Sequence, residues 1–137
     1  MLHIKSIKPL FTSIVTTGEK FDKDFMDHGF IVARKGELKL WQKVIATGSS
    51  VRDIHVGDTV MIDASHFAVK RYSKDSIQND LDNNATLGYK FNWVTLENED
   101  GKPEECLLLN DRDILYVFEG EERDDIIVTP DNPQLIV

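Results

Sequence analysis

Short apolar and β-branched runs, broken every few positions by glycine, proline, asparagine or clustered charge, set the pattern of this chain. That spacing predicts strands and turns rather than helices. The central stretch is residues 42–62, QKVIATGSSVRDIHVGDTVMI. Residues 42–46 alternate polar and apolar, and Thr47-Gly48-Ser49-Ser50 ends that strand. Thr59–Ile62 is β-branched and apolar and predicts a second strand. Between them Gly57 can take a positive φ and turn the chain sharply. Asp58 can hold the turn through its own backbone. Val56, just before that turn, is expected to point into a small barrel.

The rest of the chain follows the same grammar. Residues 3–10 begin strand-like and are bent by Pro9, which has no amide to give a ladder. FTSIVTT, residues 11–17, predicts a strand closed by Gly18. Residues 19–28 are charged. A short helix there would place Phe21 and Phe25 on one face, and the flanking Gly18 and Gly29 fit a loop or excursion equally well. Phe21, Phe25 and Met26 are expected to pack under the barrel. Phe30–Ala33 is a short apolar run, and residues 38–41 alternate. Residues 64–70 predict a turn and a short strand, and residues 73–81 a short helix carrying Ile77 and Leu81. YKFNWVTL, residues 89–96, predicts one strand that turns at residues 99–103 and pairs back through residues 105–109. Asp111 or Asp113 is expected to cap a short turn ahead of the last strand, Ile114–Phe118. Residues 126–137 hold two prolines and two apolar clusters and read as an extended arm. Together these pieces predict an all-β barrel.

Composition narrows the function. A chain of 137 residues with 41% apolar content predicts a single domain with a modest core. No apolar run reaches the length of a membrane span, which predicts an intracellular, cytoplasmic protein. The net charge of −8, from 24 acids and 16 bases, argues against a nucleic-acid surface. Cys106 is the sole cysteine, so it reads as a small buried hydrophobe. His3, His28, His55 and His66 show no metal-ligand spacing. The acids at residues 111–122 read as a solvated face. With no catalytic motif in the chain, neither enzymatic activity nor a cofactor is expected.

The order of these pieces resembles the GroES-like co-chaperonin family. Ile7-Lys8-Pro9-Leu10 looks like that family's opening segment. Lys43-Val44-Ile45-Ala46-Thr47-Gly48 is similar to its next barrel strand, and His55-Val56-Gly57-Asp58-Thr59-Val60 to the turn and strand after it. LLLNDRDILYVFE, ending at Glu119, looks like its closing segment. The chain also departs from the family. Gln42 stands where a glycine is usual, the roof hairpin is reduced to residues 49–54, and neither the insert at residues 71–90 nor the tail has a counterpart. The short roof is a trait of bacteriophage members.

The resemblance implies a barrel over residues 1–120, a mobile loop at residues 18–40, the insert at residues 71–90, and an acidic segment with a C-terminal arm at residues 121–137. It implies a chaperone that binds no cofactor and forms a homo-oligomeric, heptameric ring. That ring would cap a large GroEL-like chaperonin through Phe30, Ile31, Val32 and Ala33. Subunits would meet through the first and last strands, at Ile7, Leu10, Ile14, Ile114, Tyr116 and Phe118. Two alternatives stay open from the residues. Phe30–Ala33 can instead be a strand paired with residues 38–41 across the turn at residues 34–37. The whole chain can be a phage or virion assembly protein that reuses the barrel, its insert and arm making the contacts.

Overall fold

A computed structural model describes residues 1–71 and 86–123. Among them the chain is all-β, built from antiparallel ladders and two single 3-10 turns. Ten strands follow in order: β1 (Ser13–Thr17), β2 (Phe25–Asp27), β3 (Phe30–Ala33), β4 (Trp41–Thr47), β5 (Thr59–Ile62), β6 (Ala68–Arg71), β7 (Thr86–Tyr89), β8 (Trp93–Glu97), β9 (Pro103–Asn110) and β10 (Ile114–Phe118). Six form one sheet in the order β10-β5-β4-β1-β9-β8, while β2-β3 and β6-β7 are separate two-stranded ribbons.

The centre of the sheet is β1, whose Ile14, Val15 and Thr16 are all buried. One ladder edge of β1 pairs with β4 and the other with β9. β4 serves two partners in succession. Residues 41–43 face β5, with Gln42 opposite Val60, and residues 44–47 face β1 across a bulge between Val15 and Thr16. Bulges of this kind re-aim a strand and let it pass between neighbours. The core lies on the inner face in two clusters, one of Ile14, Val44 and Val60 and one of Ile62, Leu107 and Leu109. Ile114 packs against both. Each such aliphatic side chain contributes about 1.5–3 kcal/mol on full burial.

The turn at Gly57 forms as the residues require. Gly57 has φ +98°, and an Asp58 carboxylate oxygen accepts from the His55 amide at 2.8 Å. Val56, however, is exposed, and the apolar contacts at that corner come from Val51 and Ile54. A barrel sealed by its first and last segments is not found. β1 lies inside the sheet, and among the described residues the ladder ends at β10 and β8 without closing. Ile4 covers part of the β8 edge through a parallel bridge to Leu96.

Residues 89–96 are two strands, not one. β7 pairs with β6 and β8 with β9, and Phe91 between them turns into the core, its ring 4.8 Å from that of Phe67. The ends of the expected insert thus form a ribbon, Ala68 opposite Tyr89 through Arg71 opposite Thr86. The helix expected over residues 73–81 and the arm at residues 126–137 lie outside the described residues. No helix among the described residues is long and apolar enough to cross a membrane.

Candidate docking hairpin and its neck

Between β1 and β4 the chain leaves the main sheet and returns. The excursion, residues 19–39, contains β2 and β3 rather than a helix. They form a tight hairpin with Asp27 opposite Phe30 and Met26 opposite Ile31. The two turn residues, His28 and Gly29, both have positive φ, +52° and +83°. That is the two-residue geometry whose twist matches flanking strands, and glycine enters it without steric cost. The sequence carries this signal as Asp27-His28-Gly29-Phe30 between two apolar pairs, FM and IV.

The tip is apolar and open. Phe30 is 75% exposed, Ile31 42% and Val32 56%. A register shift between Phe25 and Met26 leaves Val32 outside the regular pairing, so exposure in β3 does not alternate. Ala33, expected to dock with its neighbours, is only 7% exposed and belongs to the base of the hairpin. The alternative pairing of Phe30–Ala33 with residues 38–41 does not form. β3 is a strand, but its partner is β2.

Aromatic contacts support the base. The Phe21 ring lies edge-on to Phe25 at 5.5 Å and to Trp41 at 5.6 Å. On one side of the base is a cleft of about 640 Å3 lined by Phe21, Phe25, Trp41, Met61 and Phe118. On the other is one of about 670 Å3 lined by Phe21, Leu40, Tyr89, Phe91 and Trp93. Lys20 sits 5.0 Å over the Trp93 ring and 3.5 Å from Glu105, beside the second cleft.

Where the excursion meets the sheet, Gln42 closes the neck. It is 2% exposed, on the inward face of β4. Its Oε1 accepts from the Thr17 hydroxyl at 2.8 Å and the Glu19 amide at 2.9 Å. Its Nε2 donates to the carbonyls of Glu19 at 2.9 Å and Lys39 at 2.7 Å. One buried amide, fully satisfied, therefore grips the outgoing and the returning strand together. Backbone bonds continue the neck outward, from Lys39 to Glu19 at 3.1 Å, from Phe21 to Glu37 at 2.9 Å and from Gly36 to Phe21 at 2.8 Å. A polar residue at an inward position of an alternating strand is the only trace of this role in the sequence.

A second contact comes from beyond β10. Glu122, expected to be one of several solvated acids, accepts from Lys39 Nζ at 2.9 Å and from the Trp41 indole at 3.0 Å through separate oxygens. Nothing in the local sequence marks it out.

The residues expected at subunit contacts scatter. Ile14 is 0% exposed and faces Val44 and Val60, so its side chain is core and offers a neighbour no surface. With both edges of β1 occupied, that strand cannot pair with another subunit. Leu10 and Tyr116 are exposed, whereas Ile7, Ile114 and Phe118 are half-buried. β10 pairs with β5 on one side and, among the described residues, is an edge of the sheet on the other.

Two further polar features shape this region. His66 bridges two acids, Nδ1 to Asp113 at 2.8 Å and Nε2 to Asp63 at 3.2 Å, and so ties the turn after β5 to the turn before β10. Asp113 also caps that second turn by accepting from the Asn110 amide at 2.9 Å. Cys106 is buried, and loss of solvent, with Glu104 adding, raises its thiol pKa and keeps it protonated. Among the described residues no three histidine, cysteine or acidic side chains converge as a metal site. The chain matches no known protein-family model and no curated protein.

Proposed function

We propose that this chain is a divergent co-chaperonin of the GroES type, in which the β2–β3 hairpin is the element that docks on a larger chaperonin. The observation that carries this reading is the hairpin itself. It stands outside the main sheet and holds Phe30, Ile31 and Val32 exposed in a row. Contiguous exposed apolar side chains mark interaction sites. Burying three of them in a partner groove supplies only a few kcal/mol after ordering costs. One hairpin therefore binds weakly and reversibly, and a ring of identical hairpins binds by avidity.

The edge of β10, unpaired among the described residues and with Leu115, Tyr116 and Val117 exposed there, supports self-association, because such an apolar edge accepts a further strand. In this reading the open sheet is a GroES-like barrel whose ring contacts use that edge and the segment around Leu10. The protein acts in the cytoplasm of a bacterial or phage-infected cell, binds no nucleotide and performs no chemistry. The second reading, a phage assembly protein, shares the same edge but needs no hairpin contact.

Replacing Ile31 and Val32 by serine separates the two. Co-sedimentation with a chaperonin in the presence of ATP should fall to background for the double variant while its oligomer size stays unchanged. Wild-type protein that forms the oligomer but never co-sediments supports the assembly reading.

A further inference from the structure

Polar contacts of unlike kinds hold the excursion carrying the hairpin to the rest of the molecule, and besides the exposed Lys20–Glu105 pair, two of them bear on Lys39 at the neck. Gln42 is fully buried, makes four hydrogen bonds, and grips both strands of the neck. Glu122 is half-exposed and makes an ion pair and an indole hydrogen bond to Lys39 and Trp41. Buried hydrogen bonds are insensitive to salt and costly to leave half-made, whereas solvent-facing ion pairs weaken as ions screen them.

We propose that the hairpin is a pre-organised finger, in which Gln42 is the permanent hinge at its neck and Glu122 a releasable latch that sets its angle to the sheet. Both residues are positioning residues, since neither lies at the exposed tip. Lys39 explains why the latch reaches the finger. Its amide closes the neck onto Glu19, and its ammonium lies 5.8 Å from the Phe21 ring, which in turn packs on Phe25 of β2. Releasing Glu122 therefore loosens the Lys39–Phe21–Phe25 stack without unmaking any bond to Gln42. Because Glu122 lies only four residues beyond Phe118, the latch also joins the open β10 edge to the finger. Occupancy of that edge by a second chain thus has a short covalent path to the finger's angle. The link to chaperonin docking rests on the function proposed above, and the hinge and latch themselves do not.

The test uses the full chain. Hydrogen exchange is followed at the amides of Phe21, Gly36 and Lys39, and a distance distribution is measured between spin labels at His28→Cys and Thr95→Cys in a Cys106→Ser background. Gln42→Ala should speed exchange at the three neck amides by about tenfold or more, the scale of an unmade buried hydrogen bond. Gln42→Met, which keeps the volume, should do the same and serves if the alanine variant does not fold. Glu122→Gln, or salt near 1 M where screening reaches about 3 Å, should broaden the label distances and shift the Trp41 indole resonance. The neck amides should stay protected. Unchanged neck exchange in both Gln42 variants overturns the hinge. Unchanged label distances in Glu122→Gln, or neck exchange as fast as in the Gln42 variants, overturns the latch. If hinge and latch behave as expected but the Ile31 and Val32 double variant still co-sediments, only the docking reading fails.

Discussion

Among the described residues the dipeptide Ile-Val occurs twice, both times in a strand and with opposite fates. Ile14-Val15 in β1 is fully buried, while Ile31-Val32 in β3 is largely open to solvent. Local propensity is the same, and both form strands as β-branched residues should. The difference lies in their neighbours. β1 has β4 on one edge and β9 on the other, and it lies within the main sheet, where Ile14 packs into the core with Val44 and Val60. β3 has only β2, in a ribbon that joins the main sheet through its neck. A two-stranded ribbon cannot bury both faces of an apolar strand and is marginal alone. Its Ile-Val pair is therefore left largely exposed.

That contrast predicts a graded series. Ile14→Ala should be the most damaging, costing about 2–5 kcal/mol in urea unfolding, because it opens a cavity between Val44 and Val60. Ile31→Ser with Val32→Ser should cost about 1 kcal/mol or less in the same assay. Comparable losses at the two sites would show that the hairpin side chains are core. Gly29→Ala falls between these two. Its φ of +83° is unfavourable for a residue with a Cβ, so about 1–2 kcal/mol should be lost within the hairpin. Exchange should quicken at Met26 and Ile31 and leave β1 amides untouched; equal acceleration in β1 would mean that the ribbon and sheet open as one unit.

The smallest effect lies away from the hairpin, at the turn that anchors β10. The Ser65 hydroxyl, then the Ser65 amide, donate to Asp63 and hold its carboxyl below the usual range, with His66 adding and partial burial opposing. The folded protein therefore favours the ionised form more than the unfolded chain does. This stabilisation is present above the unfolded pKa and is lost as pH falls through the lowered folded one. Asp63→Asn should unfold slightly more easily at neutral pH and show a shallower loss of stability in acid. Urea midpoints measured at neutral pH and below about pH 4 check this, and parallel slopes for the two proteins would exclude the contact as a source of acid sensitivity.

Much of the fold was legible because its signals are local. The strand expected over residues 11–17, which forms over residues 13–17 after a turn at Phe11, those at residues 59–62 and 114–118, the glycine turn held by Asp58, the hairpin at residues 99–103 and the buried Cys106 all follow from alternation, turn chemistry and side-chain type. The tip residues Phe30, Ile31 and Val32 were legible as an apolar run between turns. Other features were not, each for a physical reason. Val56 sits beside the predicted turn, yet the φ of the turn does not determine which way its neighbour points. Residues 89–93 alternate across the point where the strands divide, so the pattern carries no mark of the separation at residues 90–92, where Phe91 packs on Phe67. Ile14 looked available to another subunit because an apolar strand near the N-terminus carries no mark of having both edges filled.

The residues alone determined most of the segments that extend and the turns between them, and that a short apolar run would recur outside the longest strands. These follow from backbone preference and side-chain periodicity, which act over a few positions. Tertiary structure decided that β1 lies inside the sheet, that Gln42 joins Glu19 to Lys39, and that Glu122 reaches back 83 residues to Lys39. Such pairings depend on strand order and on which face of each strand is covered, and a one-dimensional pattern encodes neither.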